Sequence, residues 1–190
     1  MKEHKKIIES YLNGNRYAVD LIIDEYKSPL YRLCIKLTKD NVDADDLFQD
    51  TWMKIFKNLN KYNPSKSFEN WIYTICINLY RDRYNKKKRW LNIIKDYFSN
   101  ESKKNDFRKI SDDSNPLDNV VENEESTKIK DSLNKLNNKY RIPLILYYFK
   151  DISYKEISEI LCIPIGTVKS RIHTGKEKLK DILREDCYER

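Results

Sequence analysis

Residues that interrupt helices are scarce along this chain, which has three glycines and five prolines among 190 residues. Long stretches without them carry apolar residues at helical spacing. Sandwiches, barrels and phosphate-loop α/β folds need many turns, so this scarcity disfavours them. We therefore predict an all-α protein. Apolar residues make up 39% and charged residues 35% of the chain, which indicates small cores beneath a heavily charged surface.

The helical periodicity falls into two stretches separated by a polar segment. The candidate helices of the first stretch are 4–12, 15–39, 43–60 and 67–91. Pro29 is expected to kink or divide the second of these. Between 96 and 122 the composition is polar and charged with no sustained period, which is typical of a linker. The prediction is two small helical domains, 1–95 and 123–190, joined by a flexible linker over 96–122.

The segment from Ser153 to Lys180 is predicted to form two helices joined by a tight turn. Pro164 ends the first helix, because proline disfavours helical geometry in the residue before it. Thr167 is the expected N-cap of the second helix. The polar side chains expected to face outwards there are Lys169, Ser170, Arg171, His173, Lys176 and Lys180. A basic second helix favours a DNA-binding helix-turn-helix, although an ordinary αα-hairpin with a solvated basic face also explains the segment taken alone.

An acidic stretch begins at Asp43. Asp46, Gln49 and Asp50 are spaced to form one outward ridge on a helix whose apolar residues face elsewhere. One explanation of this acidic stretch is structural, because acids in the first turn of a helix complement its dipole. Docking against a basic protein surface is another. Metal-assisted phosphoryl chemistry with Asp43, Asp46 and Asp50 is disfavoured, because no histidine or second carboxylate cluster lies nearby.

A basic run from Arg81 to Arg89 contains six basic residues against one acid, with Tyr80, Tyr84 and Trp90 interleaved. Cations neutralise phosphates and aromatic faces stack on unpaired bases, so the run favours nucleic acid. A solvated helix end with cations near the negative pole of the dipole is the alternative. The net charge of +7 also points to a polyanionic partner.

The rest of the composition predicts neither a cofactor nor a metal site. The four cysteines are scattered, with no C-x-x-C pair, and this is typical of small buried hydrophobes in a reducing cytosol. No apolar run is long enough to span a membrane, and the charged N-terminus leads into no signal-like segment. We therefore expect a cytoplasmic protein without membrane insertion.

Three motifs occur in a recognisable order. They are DADDLFQDTWMKIFKNL, then SFENWIYTICINLYRD with its basic run, then YRIPLILYYFKDISYKEISEILCIPIGTVKSRIHTGKEKL. Together they resemble the extracytoplasmic-function (group IV) sigma factors of bacterial RNA polymerase, over most of residues 10–184. The resemblance implies an alternative sigma factor that is not an enzyme, binds core polymerase and directs promoter-specific initiation. Whether an anti-sigma factor also binds the chain is left open.

The resemblance also implies roles for individual residues. Docking to core polymerase falls to Asp46, Gln49 and Asp50. Contacts to the −10 element fall to Lys66, Asn78, Arg81, Arg83, Lys86, Lys87, Lys88 and Arg89. Contacts to the −35 duplex fall to Thr167, Lys169, Ser170, Arg171, His173 and Lys176. Asn78 would line a pocket for a flipped base, and Arg171 would read a guanine. Thr174-Gly175 stands where many members carry basic residues, which is expected to weaken duplex contacts or loosen the helix.

Two rival functions remain at the level of sequence. A stand-alone helix-turn-helix regulator would bind operator DNA as a dimer, and it leaves the acidic ridge and the basic run unexplained. A nuclease using the Asp43–Asp50 acids would cleave DNA in the presence of a divalent metal.

Overall fold

A computed structural model describes residues 2–12, 14–15, 17–99 and 124–188, and every regular element in these ranges is helical. The helices are α1 (Lys2–Leu12), α2 (Tyr17–Leu37), α3 (Asn41–Asn58), α4 (Phe68–Ser99), α5 (Glu124–Lys135), α6 (Asn138–Lys150), α7 (Tyr154–Leu161) and α8 (Ile165–Tyr188), with a 3₁₀ turn at Leu59–Lys61. The all-α prediction is confirmed. Of the predicted linker, 96–99 belong to α4 and 100–122 lie outside the described residues.

The N-terminal half comprises α1 to α4. Helix α2 runs through Pro29 as one element, so the proline does not divide it. Helix α3 begins where the carboxylate of Asp40 accepts the N–H of Asp43 at 2.7 Å, which satisfies a donor that the helix itself cannot. The core consists of large side chains that are almost fully buried, from α2, α3 and α4: Leu30, Leu33, Leu37, Leu47, Ile55, Ile72 and Ile77.

The C-terminal half comprises α5 to α8, and α7 and α8 form the predicted helix-turn-helix. Ser153 and Glu156 form a reciprocal capping box at the start of α7. The helix ends at Leu161, and the next residue, Cys162, caps it in the left-handed conformation with φ of 52°. Helix α8 begins at Ile165, and the carbonyl of Pro164 accepts the N–H of Thr167. Thr167 therefore lies within the first turn, and its prediction as the N-cap is wrong.

The two halves pack against each other. Helix α7 lies on α4, and α6 lies beside α2. Buried apolar side chains of both halves form one continuous cluster, which includes Leu37 and Ile77 from the first half and Ile145 and Ile160 from the second. This packing places the helix-turn-helix half against α4, the helix that carries the basic run.

Candidate nucleic-acid interface

Two side chains of the acidic ridge on α3 are exposed, and the third forms an ion pair within the chain. Asp46 and Gln49 are exposed on the surface of α3. Asp50 is half-buried, and its carboxylate pairs with the guanidinium of Arg83 on α4. Arg83 also donates to the backbone carbonyl of Asp46 at 3.1 Å, so it ties α4 to α3 at this point. The outward polar surface that remains is carried by Asp46 and Gln49.

The surroundings of the acids do not resemble a metal centre. Asp43 lies 4.0 Å from the ammonium of Lys87, and Asp50 is engaged by Arg83. In the described parts of the chain, no three His, Cys, Asp or Glu side chains are grouped so that they could hold a metal ion. These acids meet cations of their own chain, which supports a structural or docking role.

The outer part of α4 presents cations and aromatic rings to solvent. Lys86, Lys87, Lys88 and Arg89 are exposed, and so is Lys66 in the turn before the helix. Tyr84 and Trp90 are 44% and 62% exposed, which leaves ring surface free for stacking. Asn78 is also exposed, so its amide can offer a donor and an acceptor to a base edge. This face has the composition of a surface for single-stranded nucleic acid.

Helix α8 presents a second basic face. Lys169, Ser170, His173 and Lys176 are exposed, and Thr167 and Arg171 are half-buried. Val168 and Ile172 lie on the opposite side of the helix and are buried. A recognition helix in a helix-turn-helix has this division, because one side must pack on the domain while the other enters the major groove.

Gly175 of α8 faces the interior of the C-terminal half. It is buried, and a Cβ atom placed on it would lie 2.9 Å from Cδ1 of Leu144 and 3.2 Å from Cβ of Tyr140. A basic residue here would not point towards DNA. The interpretation of Gly175 as a lost duplex contact is therefore wrong, because α8 approaches α6 too closely for a side chain.

The two candidate DNA faces approach each other where α4 meets the helix-turn-helix. Burial lowers the pKa of the half-buried Arg81, and the positive charge of Arg171 lowers it further. Nearby, the amide of Asn70 on α4 donates to the carboxylate of Glu156 on α7 at 3.0 Å. The helix-turn-helix half therefore packs on the same helix that carries Arg81.

Sequence reasoning missed Arg141, although it is one of the few buried polar side chains of the described chain. Its guanidinium donates to the Tyr80 hydroxyl at 3.3 Å and to the backbone carbonyl of Lys36 at 2.8 Å. Burial lowers its pKa. The sequence feature that could have indicated a buried cation is α6 itself, an apolar helix that carries cations near both ends and no acidic residue.

Two family models match the chain. The model for sigma-70 region 2 matches residues 22–90, and the model for sigma-70 region 4 matches residues 126–179. Together they account for more than half of the sequence. The first match spans the ridge and the α4 face, and the second spans the helix-turn-helix.

Curated relatives align over nearly the whole chain. The sequence is 35% identical over 181 residues to the ECF RNA polymerase sigma factor SigW of Bacillus subtilis, which covers 95% of this chain and 97% of that protein. It is 28% identical over 168 residues to SigM of the same organism, covering 86% and 93%.

Solved structures share the fold. The sigma factor RpoE from Bartonella quintana, solved with the anti-sigma factor NepR, superposes with a TM-score of 0.65 at 23% identity, covering 87% of this chain and 96% of that one. CnrH, solved with the cytosolic domain of CnrY, gives 0.66 at 20% identity, covering 95% and 96%. Within the described ranges, no helix combines the length and apolar character that crossing a bilayer requires.

Proposed function

The chain belongs to the extracytoplasmic-function family of RNA polymerase sigma factors, and on that premise we propose how its surfaces divide the work of initiation. As an alternative sigma factor it binds core RNA polymerase and promoter DNA and directs promoter-specific transcription initiation. It is an initiation factor and not an enzyme. The observation that carries the proposal is the separation of one exposed acidic ridge on α3 from two exposed basic faces on α4 and α8.

Asp46 and Gln49 form the docking surface for core polymerase. Both side chains are exposed, and a basic protein surface is their natural complement on a chain that is otherwise positive. Asp50 contributes by holding Arg83, so that α3 and α4 keep their relative orientation. Asp50 can contact core polymerase directly only after its carboxylate is released from the ion pair with Arg83.

The two basic faces read different DNA elements. Asn78, with the exposed cations Lys86 to Arg89 and Lys66, contacts the −10 region, where unpaired bases need aromatic and amide partners. Arg81 and Arg83 support this face. On α8, Arg171 reads base edges of the −35 duplex, and Thr167, Lys169, Ser170, His173 and Lys176 position the helix on the backbone.

The domain and partner assignments follow the same division. The proposed domains are 1–95 for core docking and the −10 element, 96–122 as linker, and 123–190 for the −35 element. The chain works in the cytoplasm, where bacterial RNA polymerase transcribes. The sigma factor RpoE from Bartonella quintana, which shares the fold, was solved with the anti-sigma factor NepR, and this supports an anti-sigma factor as a further partner.

The substitution Asp46→Arg tests the docking surface. Placing a cation against a basic surface costs several kcal/mol, so affinity for purified core polymerase should fall at least about tenfold. The control is Asp24→Arg, which makes the same charge change at an exposed position on α2. Fluorescence anisotropy of the labelled chain titrated with core polymerase measures both. Equal affinities for the two variants would refute the assignment of the ridge.

A further inference from the structure

A cleft of about 400 Å³ lies between α2, α3 and α4 on one side and α5 and α6 on the other. Small-molecule sites occupy roughly 300–1,000 Å³ and are lined mainly by apolar and aromatic side chains. Leu47 and Leu136 are buried in this lining, whereas Leu91 and Tyr84 keep about half of their surface exposed. The cleft therefore has the size and the apolar surface for one small organic molecule.

Hydrogen bonds hold the polar part of the lining in place. The guanidinium of Arg141 donates to the Tyr80 hydroxyl at 3.3 Å, and that hydroxyl donates to the side-chain oxygen of Asn138 at 3.1 Å. All three residues line the cleft. Because these side chains are fixed before a ligand arrives, binding costs little of their conformational entropy.

Two polar atoms of the lining residues are buried without a hydrogen-bond partner in the part of the chain that the structure describes. They are the Nε donor of Arg141 and the side-chain oxygen of Asn134. Arg141 is only 4% exposed, so bulk solvent does not reach this donor. Buried polar atoms are normally paired, and a ligand with one acceptor and one donor would pair both. Because both atoms are buried, a small rotation of their side chains accompanies that pairing.

The charged residues of the lining favour an anion. Five of them are cations and one, Asp43, is an acid. Arg83 is held by an ion pair with α3, and Lys87 lies 4.0 Å from Asp43. Lys39 and Lys88 are exposed and form no ion pair within the described ranges of the chain. A ligand that enters beside these two lysines should therefore carry negative charge.

We propose that the cleft binds one free nucleotide. Every nucleobase has a flat face for the ring of Tyr84 and an edge with both an acceptor and a donor, which Arg141 and Asn134 require. The phosphate supplies the negative charge that Lys39 and Lys88 favour. A nucleotide within a single strand carries the same groups, and the experiment below separates the two sources. The site goes beyond the function proposed above, although Lys88 belongs to both.

Isothermal titration calorimetry of the full-length chain tests the proposal. The probes are AMP, GMP, CMP and UMP, with inorganic phosphate and short single-stranded oligonucleotides for comparison. The substitution Lys39→Glu reverses a charge at the cleft. Lys54→Glu is the matched control, because it makes the same change at an exposed lysine of α3 that does not line the cleft.

The wild type should bind at least one of the four monophosphates saturably, with one molecule per chain. Lys39→Glu should weaken that binding about tenfold, and Lys54→Glu less than about twofold, because charge interactions fall off with distance. Asn134→Leu removes the acceptor for the base edge, so it should weaken binding of the nucleotide about fivefold and reduce discrimination among the bases. It should leave the weak binding of inorganic phosphate unchanged.

Saturable binding of a monophosphate supports a free nucleotide. Binding of oligonucleotides alone, weakened by both Lys39→Glu and Asn134→Leu, assigns the cleft to a nucleotide within a single strand and overturns the free ligand. The absence of saturable binding up to about 10 mM overturns the site altogether, and so does an equal loss of affinity for Lys39→Glu and Lys54→Glu.

Nucleotide binding that is insensitive to Asn134→Leu overturns the placement of the base. If circular dichroism shows that this variant loses helix, Asn134→Ala replaces it, and the same loss of base discrimination is required. The titrations need neither polymerase nor promoter, so their outcome is independent of whether Asp46 docks core polymerase.

Discussion

The two glycines of α8 occupy opposite environments. Gly175 is buried against α6, where an added Cβ would meet Leu144 at 2.9 Å, whereas Gly166 in the first turn has no atom within 4 Å of the same position. The propensity of alanine for helices is the same at both sites. The difference between the sites is therefore decided by packing.

Gly175→Ala should destabilise the C-terminal half by about 1–3 kcal/mol, because overpacking outweighs the gain in helix propensity. Gly166→Ala is the control, and it should be neutral or stabilising by up to about 1 kcal/mol. Urea unfolding followed by circular dichroism measures both. Equal stabilisation by the two alanines would contradict the close approach of α8 to α6.

The sequence could not reveal this role for Gly175. Helical glycine is compatible with an exposed site, a functional site or a close approach between helices, and only the position of Leu144 and Tyr140 separates these cases. The exposure of Asn78, Lys169 and Lys176 was predictable, because helical spacing against an apolar stripe determines which side of a helix faces solvent.

At the scale of elements, capping residues define the helix-turn-helix. The carboxylate of Glu156 accepts from Ser153 and from Asn70, and these bonds hold its pKa below the ordinary value of 4.5. A carboxylate with a lowered pKa in the folded state stabilises the fold above its unfolded pKa. That stabilisation is lost as the pH falls through the folded value.

Glu156→Ala should therefore lower the free energy of unfolding at pH 7 by about 1 kcal/mol, as expected for loss of a cap contact. The difference between wild type and variant should shrink as the pH falls from about 4.5, the ordinary value, through the lowered pKa of the folded wild type, below which the carboxylate is protonated in both states. Urea titrations at several pH values measure it. A difference that stays constant between pH 7 and pH 3 would show that the charge of Glu156 plays no part.

The extent of the helices was largely predictable from apolar periodicity, and their ends were not. Helix α8 begins at Ile165, ahead of Thr167, because the Pro164 carbonyl accepts the first helical N–H groups. Helix α4 continues to Ser99, although the polar composition from 96 onwards resembles a linker. Capping geometry and local solvation decide such ends, and both depend on the folded chain.

At the scale of the whole molecule, the two-part architecture follows from the sequence, but the packing of its halves does not. Two of the contacts that join them run between Arg141 and the Lys36 carbonyl and between Lys150 and the Pro29 carbonyl, 105 and 121 positions apart. Backbone carbonyls are identical for every residue type, so no pattern of side chains marks them in advance. The one sequence feature that pointed to these contacts was the presence of cations on α6, a helix without acidic residues.

We propose that this chain gives RNA polymerase its promoter choice through Arg171 on α8. The direct measurement is transcription in vitro with purified core polymerase and genomic DNA, with start sites mapped for wild type, Arg171→Ala and Lys176→Ala. We predict that the wild type produces a defined set of sites sharing an upstream element. Arg171→Ala should relax base preference within that element by about 1–3 kcal/mol, whereas Lys176→Ala should weaken all sites about equally. Start sites that are unchanged by Arg171→Ala would contradict the role of Arg171 in promoter choice, and start sites that do not depend on adding the chain would contradict its role as a sigma factor.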